Sequence, residues 1–415
     1  MNRLSLAVRR ILAWPLWRDY RTILLLWLVM SVVVSITKAY NSDNNFLIFR
    51  SSFWHAWQGM PLYEPYPQDH SDVFLYGPVF TLLVSPFAVV PRFVGLMLWE
   101  VALSLFLYLA VRHSDLSRGQ RLFVFWFCTH ELLNALFMQQ YNVAIAAGVL
   151  LTFTMVERGR ELWAAFFIML GTMVKLYGIV GLAFFFFVKR KGAFVGYLLL
   201  WGVVLFVAPM VVAGPEYVVH EYYEWYVALA EKNADNINEL AGDMAALSTN
   251  ISLLGIVRRT TRVLTYSDLW LIVPGIVLFC LPYLRLKQYR HVAFRQTLLA
   301  STLMFCVLFS TGSENSTYVI AFVGVALWYC CAPWQRSRWD VALMVVVFII
   351  SSLSPGDLFP KSIYKGLIQP YALKALPVSI VWFKLCYEML RRDYAPAPAP
   401  EPAPSVETPS ASLTT

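Results

Sequence analysis

Carboxylates in one polar loop are the first side chains in this chain that could do chemistry. The loop runs from Ser42 to Pro78, directly after the first hydrophobic run, and Asp43 lies at its start. A carboxylate in this position could deprotonate a hydroxyl group as a general base. Asp43 is also a good N-cap for a helix that would follow it, and one residue could fill both roles.

The same loop carries further ionisable side chains and an aromatic-rich segment. The other charged or titratable residues that we single out are Arg50, His55, Glu64, Asp69, His70 and Asp72. We expect most of them to be solvated loop charge, and no ligand spacing among the acids indicates a metal site. Aromatic and polar residues alternate from Phe46 to Gln58, which predicts an amphipathic helix that ends at Gly59.

Lys175 is the second candidate, because it lies within an apolar stretch. An ionisable side chain is costly there and usually faces a cavity or a partner, and an ammonium group suits a phosphate. The flanking segments, 162–174 and 178–188, are shorter than the roughly 20 residues that cross a bilayer. We therefore expect a helical hairpin with Lys175 at its tip, on the floor of an outward-open cavity. The alternative is a lysine that reaches to lipid headgroups.

A basic cluster occurs late in the segment 214–267, where Asn250 is followed by Arg258 and Arg259. The topology described below puts this segment on the side of the membrane where few cations are expected. An anionic substrate would explain the cluster. Ordinary headgroup contact, or a local fault in the predicted topology, would explain it equally well.

Glu314 lies in a very short polar turn, from Ser313 to Ser316, between two apolar segments. Such a turn holds the carboxylate close to the membrane and to any cavity between the helices. Two roles stay open for this residue. It could pair with Lys175 or with an arginine of the basic cluster, or it could accept hydrogen bonds from sugar hydroxyl groups.

Composition places these residues in a membrane protein. Hydrophobic residues make up 59% of the 415 residues and charged residues only 14%, so one soluble core could not hide the apolar surface. We assign the net charge of +8 to cytoplasmic loops that face anionic headgroups, and we expect no nucleic-acid partner. The six cysteines form no CxxC pair and no histidine lies at metal-ligand spacing, so we expect neither a disulfide framework nor a zinc site. We also expect no cofactor.

Charge distribution predicts an all-α polytopic membrane protein with both termini in the cytoplasm. The positive-inside rule, applied to the basic clusters between apolar segments, gives about 12 transmembrane helices. One of the predicted hairpins, at 122–157, has Gln140 and Asn142 at its outer tip. The stretch 78–91 is either re-entrant or a short tilted helix.

The same charge and composition patterns divide the chain. We predict an interfacial N-terminal helix, a transmembrane domain that contains a first and a third outer loop, and a disordered cytoplasmic tail. Their ranges are 1–21 for the helix, 22–392 for the domain, 39–77 and 214–267 for the two loops, and 393–415 for the tail.

Several short motifs resemble glycosyltransferase family 87, a set of polytopic enzymes of the GT-C type that includes mycobacterial mannosyltransferases and arabinofuranosyltransferases. The resemblance covers roughly residues 20 to 390 and depends on the order and spacing of its parts. These parts are Gly59 with Leu62 and Tyr63, then Tyr76-Gly77-Pro78, Gln140 with Asn142, Lys175-Leu176-Tyr177, and Asn250 to Arg259. Two positions differ: Asn45 stands where the family commonly has an aspartate, and the turn at 313–316 lacks the family's frequent histidines.

The resemblance implies a GT-C type bundle and a glycosyltransferase that inverts the sugar without a metal. The implied reaction moves a mannose- or arabinose-like sugar from a polyprenyl-phosphate donor to a lipid-linked or envelope glycan acceptor, on the outer side of a bacterial inner membrane. Because Asn45 cannot act as a base, the role passes to Asp43 or to an acid such as Asp69 or Asp72, or the chemistry of this branch differs. We expect Asp43 to be the base. The expected substrate-binding residues are Asn45, Arg50, Tyr76, Gln140, Asn142, Lys175, Asn250, Arg258, Arg259 and Glu314. The alternative function is a lipid or sugar transporter or flippase, which also holds ionisable residues at membrane depth.

Overall fold

The computed structural model describes residues 15–238, 249–263 and 266–395. It is 76% helical, and the described part of the chain contains no strand. The α-helices, numbered in chain order, are α1 Tyr20–Asn41, α2 Asn44–Gln58, α3 Phe80–Ala88, α4 Arg92–His113, α5 Arg118–Phe137, α6 Asn142–Glu157, α7 Glu161–Lys175, α8 Lys191–Val207, α9 Met210–Ala213, α10 Pro215–Asn238, α11 Leu253–Thr261, α12 Leu269–Cys280, α13 Val292–Leu308, α14 Tyr318–Cys330, α15 Arg338–Val346, α16 Lys361–Ile363 and α17 Ala375–Arg391. The longest 3-10 segment is Tyr177–Phe187, and a π-helical segment, Val347–Leu353, continues α15.

Three helical segments among the described residues are long and apolar enough to cross a membrane: Tyr20–Ala39, Arg92–His113 and Lys191–Ala213. Shorter apolar helices follow at Asn142–Glu157, Tyr177–Phe187, Leu269–Leu284, Val292–Leu308 and Asn315–Cys330. The all-α membrane fold is therefore confirmed. The predicted number of about 12 crossings is not confirmed.

Burial separates a central layer of helices from a peripheral one. Helices α6, α13 and α14 are buried along most of their length. Helices α8 and α12 instead expose large apolar side chains, with Leu199 68% and Trp270 78% exposed. Lipid would cover this apolar perimeter, because the exposure of so much apolar surface to water is unfavourable.

Helices α1 and α4 run antiparallel and define two ends of the molecule. Ser31 and Ser104 share a hydrogen bond of 2.7 Å midway along the pair, and the Tyr108 hydroxyl donates to the Tyr20 carbonyl at 3.2 Å. Helix α4 has 22 residues and is about 33 Å long, close to the thickness of a bilayer core. Asp43 lies at one end of the pair, and Tyr20 lies at the other.

Both predicted hairpins are present. Helices α5 and α6 form the first, with the turn at residues 138–141. In the second, α7 reverses at Leu176, which adopts a left-handed φ of +52°, and the chain returns as the 3-10 segment. Each arm is about 22 Å long, shorter than the roughly 30 Å hydrocarbon core, as the short flanking segments predicted.

Other predicted segments are found in modified form. The helix predicted at 46–58 is α2, and Gly59 ends it in the left-handed conformation. The stretch 78–91 contains the nine-residue helix α3, which is too short to span a bilayer. The predicted loop 214–267 contains α10 and α11. Of the predicted N-terminal helix, 1–21, the described residues are 15–21, which form a 3-10 turn at Pro15–Arg18 and the start of α1. Of the predicted tail, only 393–395 lie within the described residues.

Candidate active site

A polar cavity of about 690 Å³ opens where the first loop, the α5–α6 turn, the α7 reversal and the turn after α13 meet. Both cationic and anionic side chains line it, together with amides, hydroxyls and aromatic rings. Its principal polar and aromatic lining residues are Asn45, Asp72, Tyr76, Gln140, Lys175, Tyr177, Lys232, Asn233, Asn236, Thr249, Ser310, Thr311, Glu314 and Asn315. Five residues predicted to bind substrate are therefore brought together here: Asn45, Tyr76, Gln140, Lys175 and Glu314.

Lys175 is held by neutral oxygen atoms. Its Nζ donates to Asn142 Oδ1 at 2.9 Å and to Gln140 Oε1 at 3.4 Å. Gln140 Nε2 in turn donates to Glu314 Oε2 at 2.8 Å. Within the described residues no carboxylate lies within 4.0 Å of the ammonium group, so Glu314 reaches Lys175 only through Gln140. This arrangement leaves a cation whose charge is not cancelled by direct contact with an acid.

The sequence around Tyr76 explains how an aromatic ring comes to lie beside Lys175. The Gly77 N–H donates to the Val174 carbonyl at 3.0 Å. A Cβ atom at Gly77 would lie 1.9 Å from the Met173 carbonyl oxygen, so only glycine permits this approach. The Lys175 ammonium lies 5.3 Å from the centre of the Tyr76 ring and 5.6 Å from that of Tyr177, within cation–π range.

Asp72 is the first-loop carboxylate in the cavity. Ser71 donates its backbone N–H to Asn44 Oδ1 at 2.8 Å, which ties the loop to the start of α2. His70 Nδ1 contacts the Asp72 carbonyl oxygen, and the Val73 N–H donates to Asp72 Oδ1 at 2.8 Å. One carboxylate oxygen is thus oriented by the backbone, and the side chain remains exposed. Burial lowers the pKa of His70, so the neutral ring is favoured in this contact.

Asp43 occupies a different environment. It is 1% exposed, does not line the cavity, and forms a bidentate ion pair with Arg92 at the start of α4. It precedes α2 in the N-cap position, but its side chain makes no capping hydrogen bond. Neither role weighed for Asp43 from the sequence accounts for this ion pair, which joins the first loop to the start of α4.

Helix α10 forms a wall of the cavity that the sequence interpretation missed. Lys232, Asn233 and Asn236 line the cavity, and Thr311 Oγ1 donates to Asn233 Oδ1 at 2.7 Å. Asn236 follows Lys232 by four positions and Asn233 by three, and these spacings make the side chains neighbours on one helical face. This polar face, within a segment treated as a loop, was the signal that could have identified them.

The other end of α10 is anchored to the first loop. The Leu62 N–H donates to Glu221 Oε2 at 3.0 Å, and Trp225 Nε1 donates to the Leu75 carbonyl at 3.0 Å. Burial raises the pKa of the Glu221 carboxyl, although the hydrogen bond from Leu62 opposes this effect. These bonds fix α10 over the loop that carries Asp72.

Hydrogen bonds within the protein hold the segment that begins at Asn250. Ser252 Oγ donates to Asn250 Oδ1 at 2.8 Å and accepts the Gly255 N–H at 3.1 Å, which caps α11. A Cβ atom at Gly255 would lie 1.8 Å from the Asn250 carbonyl oxygen. The Ile251 N–H donates to the Ser313 carbonyl at 2.7 Å and so joins this segment to the Glu314 turn.

The two predicted substrate-binding arginines of α11 are buried, each 1% exposed, and neither lines the cavity. Arg258 pairs with Asp268 at 2.7 Å. Arg259 donates to the carbonyls of Thr249 and Gln369 at 2.5 and 2.7 Å. Thr249 lines the cavity, so Arg259 supports the wall from behind.

Three further predicted site residues, Arg50, Asn142 and Asn250, also lie outside the cavity lining. Asn142 is directly behind it, because its amide group joins Lys175 to Ser316 through a 3.0 Å bond to Ser316 Oγ. Arg50 is half-buried on α2, and its Nε has no hydrogen-bond partner among the described residues. The structure therefore does not bring these residues into the pocket that Lys175 shares with Asp72 and Glu314.

The described residues contain no group of three or more His, Cys, Asp or Glu side chains that could hold a metal ion. The pocket instead offers ammonium groups for an anion, carboxylates and amides for hydroxyl groups, and aromatic faces. No curated protein matches the chain. The family model of glycosyltransferase family 87 matches residues 74–311, which is more than half of the 415 residues. The matched range runs from Phe74, two residues after Asp72, through Lys175 to Thr311. The chain therefore belongs to glycosyltransferase family 87, a family of membrane glycosyltransferases.

Proposed function

We propose that this membrane glycosyltransferase moves a mannose- or arabinose-like sugar from a polyprenyl-phosphate donor to a lipid-linked or envelope glycan acceptor. The observation that carries the proposal is Lys175, a cation on the floor of a polar cavity, bonded to Gln140 and Asn142 and to no carboxylate within the described residues. A phosphate group would complete its coordination. Membership of the family favours an enzyme over the transporter or flippase that the sequence left open.

In the proposed reaction, an acceptor hydroxyl oxygen attacks the anomeric carbon of the donor sugar from the side opposite the phosphate. The new bond between carbon and the acceptor oxygen forms as the bond to the phosphate oxygen breaks, which inverts the configuration. Lys175 and Lys232 stabilise the negative charge that develops on the departing polyprenyl phosphate. The mechanism requires no metal ion, because the two ammonium groups take the place that a divalent cation would have.

We assign the general base to Asp72. Its carboxylate lies in the cavity and its loop is fixed by hydrogen bonds, so it can accept the acceptor's proton. The sequence favoured Asp43, but a carboxylate bound by both nitrogens of Arg92 and outside the cavity is poorly placed to meet a hydroxyl group. Asp72 belongs to the same loop and was one of the alternatives that the sequence left open for the base.

Glu314 and Asn45 are the proposed contacts of sugar hydroxyl groups. Glu314 has one oxygen engaged by Gln140 and lines the cavity. Asn45 Nδ2 donates to the Met138 carbonyl at 2.8 Å, which leaves its Oδ1 as an acceptor. We place Tyr76 and Tyr177 beside the sugar ring or the phosphate, since both rings flank Lys175.

We further propose that the cavity faces the outer side of a bacterial inner membrane and that both chain termini are cytoplasmic. The distribution of basic residues supports this orientation. Arg112, Arg118 and Arg121 lie at the end of α1 and α4 that is remote from the cavity, and the positive-inside rule assigns such clusters to the cytoplasm.

The test uses the purified full chain in detergent with a membrane lipid extract as acceptor. Polyprenyl-phosphate mannose and polyprenyl-phosphate arabinofuranose are supplied in parallel, and release of polyprenyl phosphate is measured. We expect turnover with one of them, and a loss on the order of 10²-fold in kcat for Lys175→Ala. Lys189→Ala, which changes an exposed lysine far from the cavity, is the matched control. Equal turnover by the Lys175→Ala protein would remove Lys175 from the mechanism.

A further inference from the structure

Three arginines converge on one aromatic ring at the end of the molecule opposite the cavity. The guanidinium carbons of Arg112, Arg118 and Arg121 lie 4.0, 5.7 and 6.0 Å from the centre of the Tyr20 ring. No two of them can therefore be more than about 12 Å apart, which is comparable with the screening length of about 8 Å at physiological salt. Three permanent positive charges at this spacing repel one another unless an anion lies among them.

The acids closest in sequence are engaged elsewhere. Asp115 pairs with Arg158 at 2.7 Å, and Asp19 accepts the Arg21 N–H at 2.9 Å as the N-cap of α1. Across the residues that the structure describes, no carboxylate lies within 4.0 Å of any of the three guanidinium groups. No carboxylate of the described residues therefore makes a direct ion pair with these three arginines.

The N-terminal end of α5 adds positive potential beside Arg118 and Arg121, whereas the C-terminal end of α4 favours Arg112. Arg118 and Arg121 occupy the first and fourth positions of α5, whose first turn contains no acidic residue. The N-terminal end of a helix already favours anions and disfavours cations. Arg118 and Arg121 each donate to one backbone carbonyl, that of Arg18 at 2.9 Å and that of Arg112 at 2.8 Å. A neutral carbonyl does not cancel the charge of a guanidinium group, so the positive charge of the cluster remains.

The position of the cluster identifies the kind of anion. Tyr20 begins one membrane-span candidate, and Arg112 lies in the last turn of another. Trp17 and Trp126 pack edge to face beside it with ring centres 4.9 Å apart, and Leu16 is 47% exposed. Aromatic residues of this kind are typical of the lipid headgroup level. The phosphate of a lipid would lie at this depth, and its acyl chains would contact the exposed apolar side chains. A soluble anion would make no contact with those side chains.

We propose that Arg112, Arg118 and Arg121 form a binding site for the phosphate headgroup of an anionic phospholipid, on the membrane face opposite the catalytic cavity. Arginine suits this role because its planar group donates two parallel hydrogen bonds to phosphate oxygens. The bound lipid would join the ends of α1, α4 and α5. This site is separate from the proposed donor site, so its test does not depend on the sugar-transfer reaction.

The experiment measures binding of phosphatidylglycerol, phosphatidylcholine and inorganic phosphate to the purified full chain in a neutral detergent, by native mass spectrometry and thermal unfolding. We expect phosphatidylglycerol to bind and to raise the unfolding midpoint, and the other two to have little effect. In the double variant Arg118→Gln/Arg121→Gln we expect affinity for phosphatidylglycerol to fall on the order of tenfold, with transfer activity retained.

Arg338→Gln is the matched control, because Arg338 also lies in the first turn of a helix and over an aromatic ring, 5.7 Å from the centre of Trp339. Its affinity for phosphatidylglycerol should equal that of the wild type. If the double variant does not fold, Arg112→Gln and the salt dependence of wild-type binding replace it. Unchanged phosphatidylglycerol binding in the variants, equal binding of phosphatidylcholine, or equally strong binding of inorganic phosphate would overturn the proposal.

Discussion

The Asp72→Asn substitution tests most directly whether Asp72 or Asp43 is the general base. The amide has nearly the size of the carboxylate, and its oxygen can still accept the Val73 N–H, so the loop should keep its position. What is lost is the ability to take a proton. General-base catalysis contributes about 10²–10⁴-fold, so kcat should fall by about that factor while the affinity for the donor changes little.

The comparison with Asp43→Asn gives the opposite pattern. This change replaces the carboxylate that Arg92 binds, and Arg92 is 52% exposed whereas Asp43 is 1% exposed. Solvent screens one partner, so the cost should lie between that of an exposed pair and that of a buried pair, at about 1–3 kcal/mol of unfolding free energy. The Asp43→Asn protein should unfold at a lower temperature than the wild type and keep most of its kcat.

The assay measures initial rates of polyprenyl phosphate release and thermal unfolding on the same preparations. Asp69→Asn is the control, because Asp69 belongs to the same loop but pairs with His55 at 3.1 Å and does not line the cavity. Normal kcat in the Asp72→Asn protein would refute the assignment of the base. A folded Asp43→Asn protein without activity would return the role to Asp43.

Three further predictions concern packing and charge. Gly77→Ala should lower the unfolding free energy by about 1–3 kcal/mol and reduce turnover, because its Cβ would meet a backbone oxygen of α7. Gly192→Ala, with open space around its Cβ, should change neither quantity, and thermal unfolding and rate measurements check both variants. Lys374 and Glu131 form an ion pair 3.6 Å apart and are 2% and 0% exposed. Glu131→Ala leaves a buried ammonium group without its acid and should lower the unfolding free energy by about 3–5 kcal/mol, measured by thermal unfolding. Replacing both residues by apolar ones should lower it less. Burial raises the pKa of Glu221, so its contribution to stability is present below the ordinary pKa of Glu and is lost as pH rises through the raised value. The unfolding temperature of the Glu221→Gln protein should therefore rise relative to that of the wild type as pH increases, and a difference that stays constant with pH would contradict this.

The sequence predicted the floor of the site well because its signals are local. Lys175 stands out by its charge within an apolar segment, and the two short arms around it follow from counting residues. The hairpin tip that carries Gln140 also follows from alternating basic clusters and apolar runs. These features depend on the order of residues along one or two neighbouring helices, and in the structure Gln140 and Lys175 line one cavity.

The fate of the other charges could not be read in the same way, because it depends on partners that are distant in the chain. Asp43 pairs with Arg92, 49 residues away, and this contact decides that it is buried. Arg259 donates to the carbonyl of Gln369, 110 residues away. A charge that is conspicuous in sequence can satisfy either a substrate or a remote backbone group. Composition alone does not distinguish these outcomes.

Helix α10 shows why polar walls escape sequence interpretation even when their pattern is present. Lys232 and Asn236 repeat at helical spacing, but the surrounding segment is too polar to register as a membrane helix, and topology rules treat such a segment as a loop. Its bonds to the first loop through Glu221 and Trp225 bring it over the cavity. The second ammonium group of the site therefore comes from the element that the topology rules describe least. A search for helical spacing within predicted loops, rather than for hydrophobicity, would have found the polar helical face that carries Lys232.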